Sequence, residues 1–255
     1  MTEHNHGDTI HGKLFRTTQW SHIVASRTGE VGPRRQAEAV VLAQYWRPVY
    51  SYLLRKGHNR DEARDLTQGF FMEVVLRRRL LSKAEPAKGK FRTYLLTALD
   101  RYVVDMYRKQ SAACRSPGEA LLSLDGKEDA DPFEPVDTST PEQAFHHAWA
   151  ATLVSEVLAD VRAACEQAGQ QAHWRVFETR FLKPILEGVE PPSQESLCEE
   201  IGIDTVKQVS NMAITVKRRF AASMRAKVRP WVGDDQAAEQ EIRELMEILS
   251  KGGAA

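Results

Sequence analysis

From Ser116 to Glu142 the chain reads SPGEALLSLDGKEDADPFEPVDTSTPE, and this stretch limits every fold open to the rest. It is rich in Pro, Gly and acid and sustains neither a strand period nor a helical one, so it has no face to bury. The blocks on either side do carry helical periodicity, and their β-branched pairs fall inside that period instead of alternating. The pattern predicts an all-α protein: two helical modules joined by a flexible acidic linker, the second with a C-terminal helix-turn-helix. The expected divisions are an N-terminal extension over 1–33, a helical domain over 34–115, the linker over 116–144, a second helical domain over 145–229 and a helical tail over 230–255.

The formal net charge of the 255 residues is zero, yet the charges are segregated. Residues 34–115 carry 18 Lys and Arg against 8 Asp and Glu, residues 116–144 carry 1 against 8, and residues 205–229 carry 7 basic side chains and no acidic one. One basic block is ordinarily a solvated helix face; two blocks with an acidic strap between them point to a polyanionic partner. Apolar runs are too short to span a bilayer, and the opening MTEHNHGDTIHG lacks the basic-then-apolar pattern of a signal peptide, so a cytoplasmic protein without membrane contact is expected. Cys114, Cys165 and Cys198 are far apart and form no C-x-x-C pair, and His4, His6 and His11 lie in a polar tail, so no metal site is read from either set. No phosphate loop and no nucleophile–base pair is present. The expectation is a non-enzyme with no cofactor and no small-molecule substrate.

Along the chain, Ala39, Leu42, Ala43, Trp46, Val49, Tyr50, Leu53 and Leu54 recur at helical spacing from about Arg34, with Gly57 as the stop. Pro48 inside that run predicts a kink or two shorter helices. Asn59 caps a second helix expected to reach Arg79, a loop with Pro86 and Gly89 follows, and FRTYLLTALDRYVVDMYRK forms a third helix. Helical order returns with Phe145, Trp149, Leu153 and Val157, then with Trp174, Phe177, Phe181 and Ile185. A tail helix carries Ile242, Leu245, Met246 and Leu249 on one side.

Three pieces carry candidate chemistry. In SQESLCEEIGIDTVKQVSNMAITVKRRF, Ser193 caps a short helix with Leu197 and Ile201 inward, Gly202 makes the turn, and Asp204 caps the next helix. That helix has Val209, Met212, Ala213, Val216 and Phe220 behind and Lys207, Gln208, Asn211, Thr215, Arg218 and Arg225 in front, a build suited to a major groove. On the 91–109 helix, Arg92, Arg101, Arg108 and Lys109 interleave with Tyr94 and Tyr107, and rings among cations suit single-stranded nucleic acid. In DLTQGFF, with Leu66 at zero on a helical wheel, Ala63, Phe70 and Val74 fall within about 40° of one another as a core face, and Leu66 and Phe70 are expected to hold the helix in its own bundle. Asp61, Asp65, Gln68 and Met72 gather on a separate face, a composition suited to a protein partner, with Phe71 at the margin. No His or third carboxylate joins Asp61 and Asp65, which disfavours acid–base chemistry.

These pieces, in this order, resemble bacterial RNA polymerase sigma factors of the extracytoplasmic-function (ECF) type. The family segment D-x-x-D-L-T-Q-x-x-F stands here as DEARDLTQGFF, and F-R-x-W-L followed by D-x-x-R stands as FRTYL with Asp105 and Arg108. Tyr94 replaces the usual Trp, Asp100-Arg101 the usual Arg-Asn, and IGIDTVKQVSN differs from the common G-T-V-K-S turn. The resemblance implies that Asp61, Asp65, Gln68 and Met72 grip core RNA polymerase, and that the 91–109 helix captures the melted minus-ten strand. It further implies that the helix-turn-helix reads minus-thirty-five promoter DNA, that the acidic linker runs through the polymerase, and that an anti-sigma or sensory partner is possible. Two rivals stand beside it: a self-sufficient helix-turn-helix regulator, and a sigma-like interaction protein that no longer reads promoters.

Overall fold

The computed structural model describes residues 31–84, 90–113, 140–229, 232 and 234–252. The N-terminal extension up to residue 30, the Pro86–Gly89 loop, Cys114 and most of the acidic linker lie outside them. Every regular element among the described residues is helical. In chain order these are α1 (Val31–Arg55), α2 (Arg60–Phe70) with a π-helical continuation (Phe71–Arg77), α3 (Leu80–Lys83) and α4 (Phe91–Ala113). After the linker come α5 (Pro141–Gln167), α6 (Gln171–Phe177) with a π-helical stretch (Glu178–Leu182), α7 (Lys183–Glu187), α8 (Gln194–Ile201), α9 (Val206–Val228) and α10 (Asp235–Gly252).

The described residues divide into two compact units. One takes α1 as far as Trp46 together with Arg60 through α4; the other takes Arg47–Asn59 together with the residues from Thr140 onward. Helix α1 is thus continuous across Pro48, which lies buried inside it, and contributes to both units. Its early phase differs from the expected one. Ala37, Val41, Gln44 and Tyr45 are buried, while Ala39, Leu42 and Ala43 are exposed; from Val49 to Leu53 the expected phase holds. Ala is small enough to sit on either face, so the alanines misled the periodicity.

An aromatic cluster fills the first unit. Tyr45 meets Phe91 edge-on at 5.5 Å, Trp46 stacks on Phe71 at 5.7 Å, and Phe70 touches both Phe71 (5.5 Å) and Tyr102 (5.8 Å). Ring pairs at these separations add about 0.5–1.5 kcal/mol each beyond area burial. Phe71, expected at the margin, is fully buried, whereas Leu66, expected in the core, is only half-buried. Leu66 lies in the regular α-helix at the edge of the buried face, and for Phe71 the helix type changes at that residue. A π-turn closes from residue i to i+5, so the 3.6-residue wheel loses its phase there.

In the second unit α5 begins at Pro141, four residues ahead of Phe145. Thr140 and Gln143 form a reciprocal capping box, the Gln143 amide donating to Thr140 Oγ1 and the Thr140 amide to Gln143 Oε1. Phe145, Trp149, Leu153, Val157 and Val161 are buried along α5, and Tyr52 meets Phe145 edge-on at 6.4 Å. Helix α9 packs on α5, α6 and α8, and α10 lies against α5 and α9. Lys227 ties α9 to α5 through Glu156 (3.1 Å) and Asp160 (3.2 Å). Two residues of the expected apolar periodicity lie outside the core. Ile185 is 79% exposed on α7, and Met246 is exposed on α10, where Ala238, Glu241 and Leu245 are buried instead.

Candidate polymerase and nucleic-acid interfaces

Helix α2 starts immediately after Asn59, with Asp61 and Glu62 in its first turn, where the helix dipole favours anions. The apolar side of α2, Ala63 with Phe70, is buried, and so is Thr67, whose hydroxyl donates to the Ala63 carbonyl at 2.7 Å. That bond satisfies a group that would otherwise be costly to bury. Asp61, Asp65 and Gln68 are left exposed along the opposite side, and Met72 is 50% exposed at its end. Leu76, 37% exposed, follows on the π-helical continuation. The motif therefore divides by face. Thr67 belongs to the protein's own interior, and Asp65 and Gln68 are presented outward.

Gly69 is fixed by a neighbour. A Cβ there would lie well inside contact distance of the Tyr102 hydroxyl, so α2 and α4 approach as closely as they do only with Gly at this position. Burial pushes the Tyr102 phenol above its ordinary range, with the Glu73 carboxylate adding to the effect.

Between the end of α2, α3 and the first turns of α4 lies a cavity of about 700 Å³. Its walls carry Arg78, Lys83, Lys90 and Arg101, the rings of Phe91, Tyr94 and Tyr102, and the apolar groups Val74, Leu80, Ala84 and Ala98, with Thr93 and Thr97 at the side. No carboxylate is among the described residues that line it. Of the six residues expected to hold a melted strand, Tyr94 and Arg101 line this cavity. Tyr107, Arg108 and Lys109 are exposed further along α4. Arg92 is not on that surface: it is only 7% exposed. Arg78, Lys83 and Lys90 were missed by motif reading. The run Arg77-Arg78-Arg79 and the basic surplus of this block were the signals available for them.

In the second unit the short helix α8 and the long helix α9 follow each other across a glycine turn. Ser193 Oγ accepts the Ser196 amide at 3.1 Å at the start of α8, Leu197 is buried, and Gly202 closes the helix at φ 72°. The Arg180 guanidinium donates to the Pro192 carbonyl and ties the approach to α8 back to the end of α6. The cap of α9 is Thr205, not the expected Asp204. The Gln208 amide donates to Thr205 Oγ1 at 3.3 Å, and the Thr205 amide donates to Gln208 Oε1 at 3.1 Å. Gln208, expected to face DNA, thus uses its side-chain oxygen in the capping box. Behind α9, Val209 and Ala213 join Val176 and Leu197 in a small core, with Met212, Phe181 and Ile203 packed against it. Lys207, Asn211, Arg218 and Arg225 are exposed, and Thr215 is half-buried with its hydroxyl on the Asn211 carbonyl at 2.9 Å.

The first unit is where known proteins bear on the chain. Residues 41–113 match the sequence model of the Sigma-70 region 2 family. That segment is similar to sigma-70 region 2. The match covers under a third of the 255 residues and takes in both the exposed α2 face and the cationic cavity. No curated protein and no solved structure matches the chain. Among the described residues no helix is long and apolar enough to cross a membrane.

Within the first unit the charges are partly self-paired. Glu73 receives Arg78 at 2.6 Å and lies 3.7 Å from the Lys109 ammonium. The hydrogen bond from Arg78, with Lys109 beside it, holds the Glu73 carboxyl below its ordinary range. Lys83 and Arg101 have no ion-pair partner among the described residues.

Proposed function

We propose that this chain is an ECF-type sigma factor, acting in the cytoplasm, that binds core RNA polymerase through α2 and directs promoter recognition and opening through α4 and α9. One juxtaposition supports the reading most. Within a single small domain an outward polar face with one exposed Met lies on the same helix that leads into a cavity of cations and rings. The face has the make-up of a protein contact, and the cavity that of a single-strand contact, where rings stack bases and cations hold phosphates. No bond is made or broken by the chain itself. One stacked base returns about 1–3 kcal/mol, so opening several base pairs requires the polymerase as well. On α9, Lys207, Asn211, Arg218 and Arg225 are the groups available to upstream duplex DNA. Arg92 and Gln208 are given only packing and capping roles.

The test is run-off transcription from genomic fragments with purified core polymerase, wild-type chain and the variants Asp65→Ala and Gln68→Ala. The reading expects promoter-dependent transcripts from the wild type. It also expects polymerase binding weakened several-fold in both variants, with helical content and thermal stability unchanged, because both side chains are exposed. Tight, sequence-specific duplex binding without polymerase would instead favour a self-sufficient regulator. Stable complex formation with no promoter-dependent transcript would favour an interaction protein.

A further inference from the structure

The cationic cavity is not fully available in the free protein, and the reason is one carboxylate. Glu73 lies on the π-helical continuation of α2, where the Arg78 amide donates to the Glu73 carbonyl at 3.0 Å across an i to i+5 turn. In an α-helix residues five apart would point about 140° away from each other. The π-turn instead brings their side chains together, and the guanidinium donates to Glu73 Oε1 at 2.6 Å. Lys109, about five turns into the chain's next long helix, reaches the same oxygen at 3.7 Å. Glu73 therefore gathers one cation from the cavity wall and one from the strand-facing side of α4.

We infer that Glu73 is a displaceable internal counter-anion, holding Arg78 and Lys109 in the free protein and giving them up to backbone phosphates when a single strand enters. The inference rests on the reading of this cavity as a single-strand site. Its geometry is that of a phosphate's own contacts: an anionic oxygen taking a guanidinium hydrogen bond and an ammonium at once. The strength of the pairing fits exchange rather than locking. The three side chains are 33%, 47% and 61% exposed, and ion pairs this open to water are weak and screened by salt. With its carboxyl held below the ordinary range, Glu73 stays ionised at neutral pH, so protonation does not remove it. The consequence is selectivity. Stray backbone contact must displace Glu73 before gaining these two cations, whereas a strand that also stacks on Tyr94 gains more than that exchange costs.

The experiment measures binding of the full chain to a fluorescein-labelled, mixed-sequence single-stranded DNA 12-mer across a salt series. The variants are Glu73→Gln, Arg78→Gln/Lys109→Gln and the triple combination, each checked by circular dichroism and thermal melting. Glu73→Gln should bind about three- to tenfold tighter than wild type at low salt, as expected for releasing two open ion pairs. Its log–log salt slope should steepen by about 0.7 for each phosphate newly engaged. In the Arg78→Gln/Lys109→Gln background the same Glu73 change should have almost no effect. Equal affinity of Glu73→Gln and wild type would overturn the inference alone, and so would an enhancement that persists without the two cations, since that is general repulsion. If Glu73→Gln melts early, Glu73→Ser and the triple variant provide the same comparison. Absence of binding by every variant would overturn the reading of the cavity and the inference with it.

Discussion

Replacing Gly69 by Ala sets two effects of known sign against each other. In a helix interior Ala is favoured over Gly by about 1 kcal/mol. Here the added methyl would press on the Tyr102 hydroxyl. A phenol at the surface would swing aside, but Tyr102 is 4% exposed and its ring is held against Phe70 at 5.8 Å. Overpacking of a held ring costs about 1–3 kcal/mol, and a contact this close falls at the upper end. Gly69→Ala should therefore destabilise the first unit by about 2 kcal/mol. Removing the hydroxyl changes the sign. In Tyr102→Phe the nearest atom to the new methyl is Cζ at 3.4 Å, an ordinary contact, so Gly69→Ala should then stabilise by up to about 1 kcal/mol. The measurement is amide hydrogen exchange of α2 and α4 peptides in the full chain, across wild type, both single variants and the double variant, because it reports local stability without assuming one global transition. The predicted coupling is about 2–3 kcal/mol. Equal effects of Gly69→Ala in the two backgrounds would refute the close-approach argument and leave Gly69 without a packing role.

The other expected outcomes concern single contacts. Lys227→Met should lower thermal stability at pH 7 by about 1 kcal/mol through loss of the links to Glu156 and Asp160. Burial alone would push Lys227 down, but the two carboxylates outweigh it and its folded value is raised above 10.5, so the difference between wild type and variant should hold up to about pH 9–10 and close as pH rises through that raised value. Gln44 is 2% exposed and neither side-chain polar atom has a hydrogen-bond partner, so Gln44→Leu should raise the melting temperature, by about 1–2 kcal/mol of stability, measured by denaturant titration. Gln208→Ala should cost about 0.5–1 kcal/mol through the capping box and leave promoter sequence preference unchanged in a selection from random duplexes. A shift in preference would restore Gln208 to the DNA-facing set.

Much of this fold was legible because its signals are local and redundant. Ser193 as a cap, Leu197 as an inward residue, Gly202 as a turn and Val209, Ala213 and Val216 as a buried stripe were each readable on their own, and each has that local role. Where a signal rested on one residue, a neighbour could take over: Thr205 rather than Asp204 caps α9, since Thr205 alone stands three residues before a Gln that can return the bond. Arg92 and Ile185 show the other limit. A wheel assigns faces around one axis, but which faces are covered depends on elements elsewhere in the chain. Arg92 is buried, and the apolar Ile185 stays in water on a five-residue helix too short to fold back onto a core. The cavity was the least legible feature, because Arg78 and Lys83 reach it from α2's continuation and α3, whose positions follow from packing and not from periodicity.

The π-helical stretch is what lets one short segment serve two surfaces. Up to Phe70 the 3.6-residue period keeps Asp61, Asp65 and Gln68 in one outward line and Ala63 and Phe70 inward. Continued unchanged, the same period would place Phe71 beside the core edge and separate Glu73 from Arg78. The wider turn instead buries Phe71 against Trp46 and turns Glu73 and Arg78 toward the cavity side. Mid-helix π-turns give up regular hydrogen bonding and persist where something is gained from them. Here the gain is both a filled aromatic core and a change of facing, from the polar face proposed to hold polymerase to the cations proposed to hold the opened strand. A single helix of constant period could align with one of these surfaces but not with both.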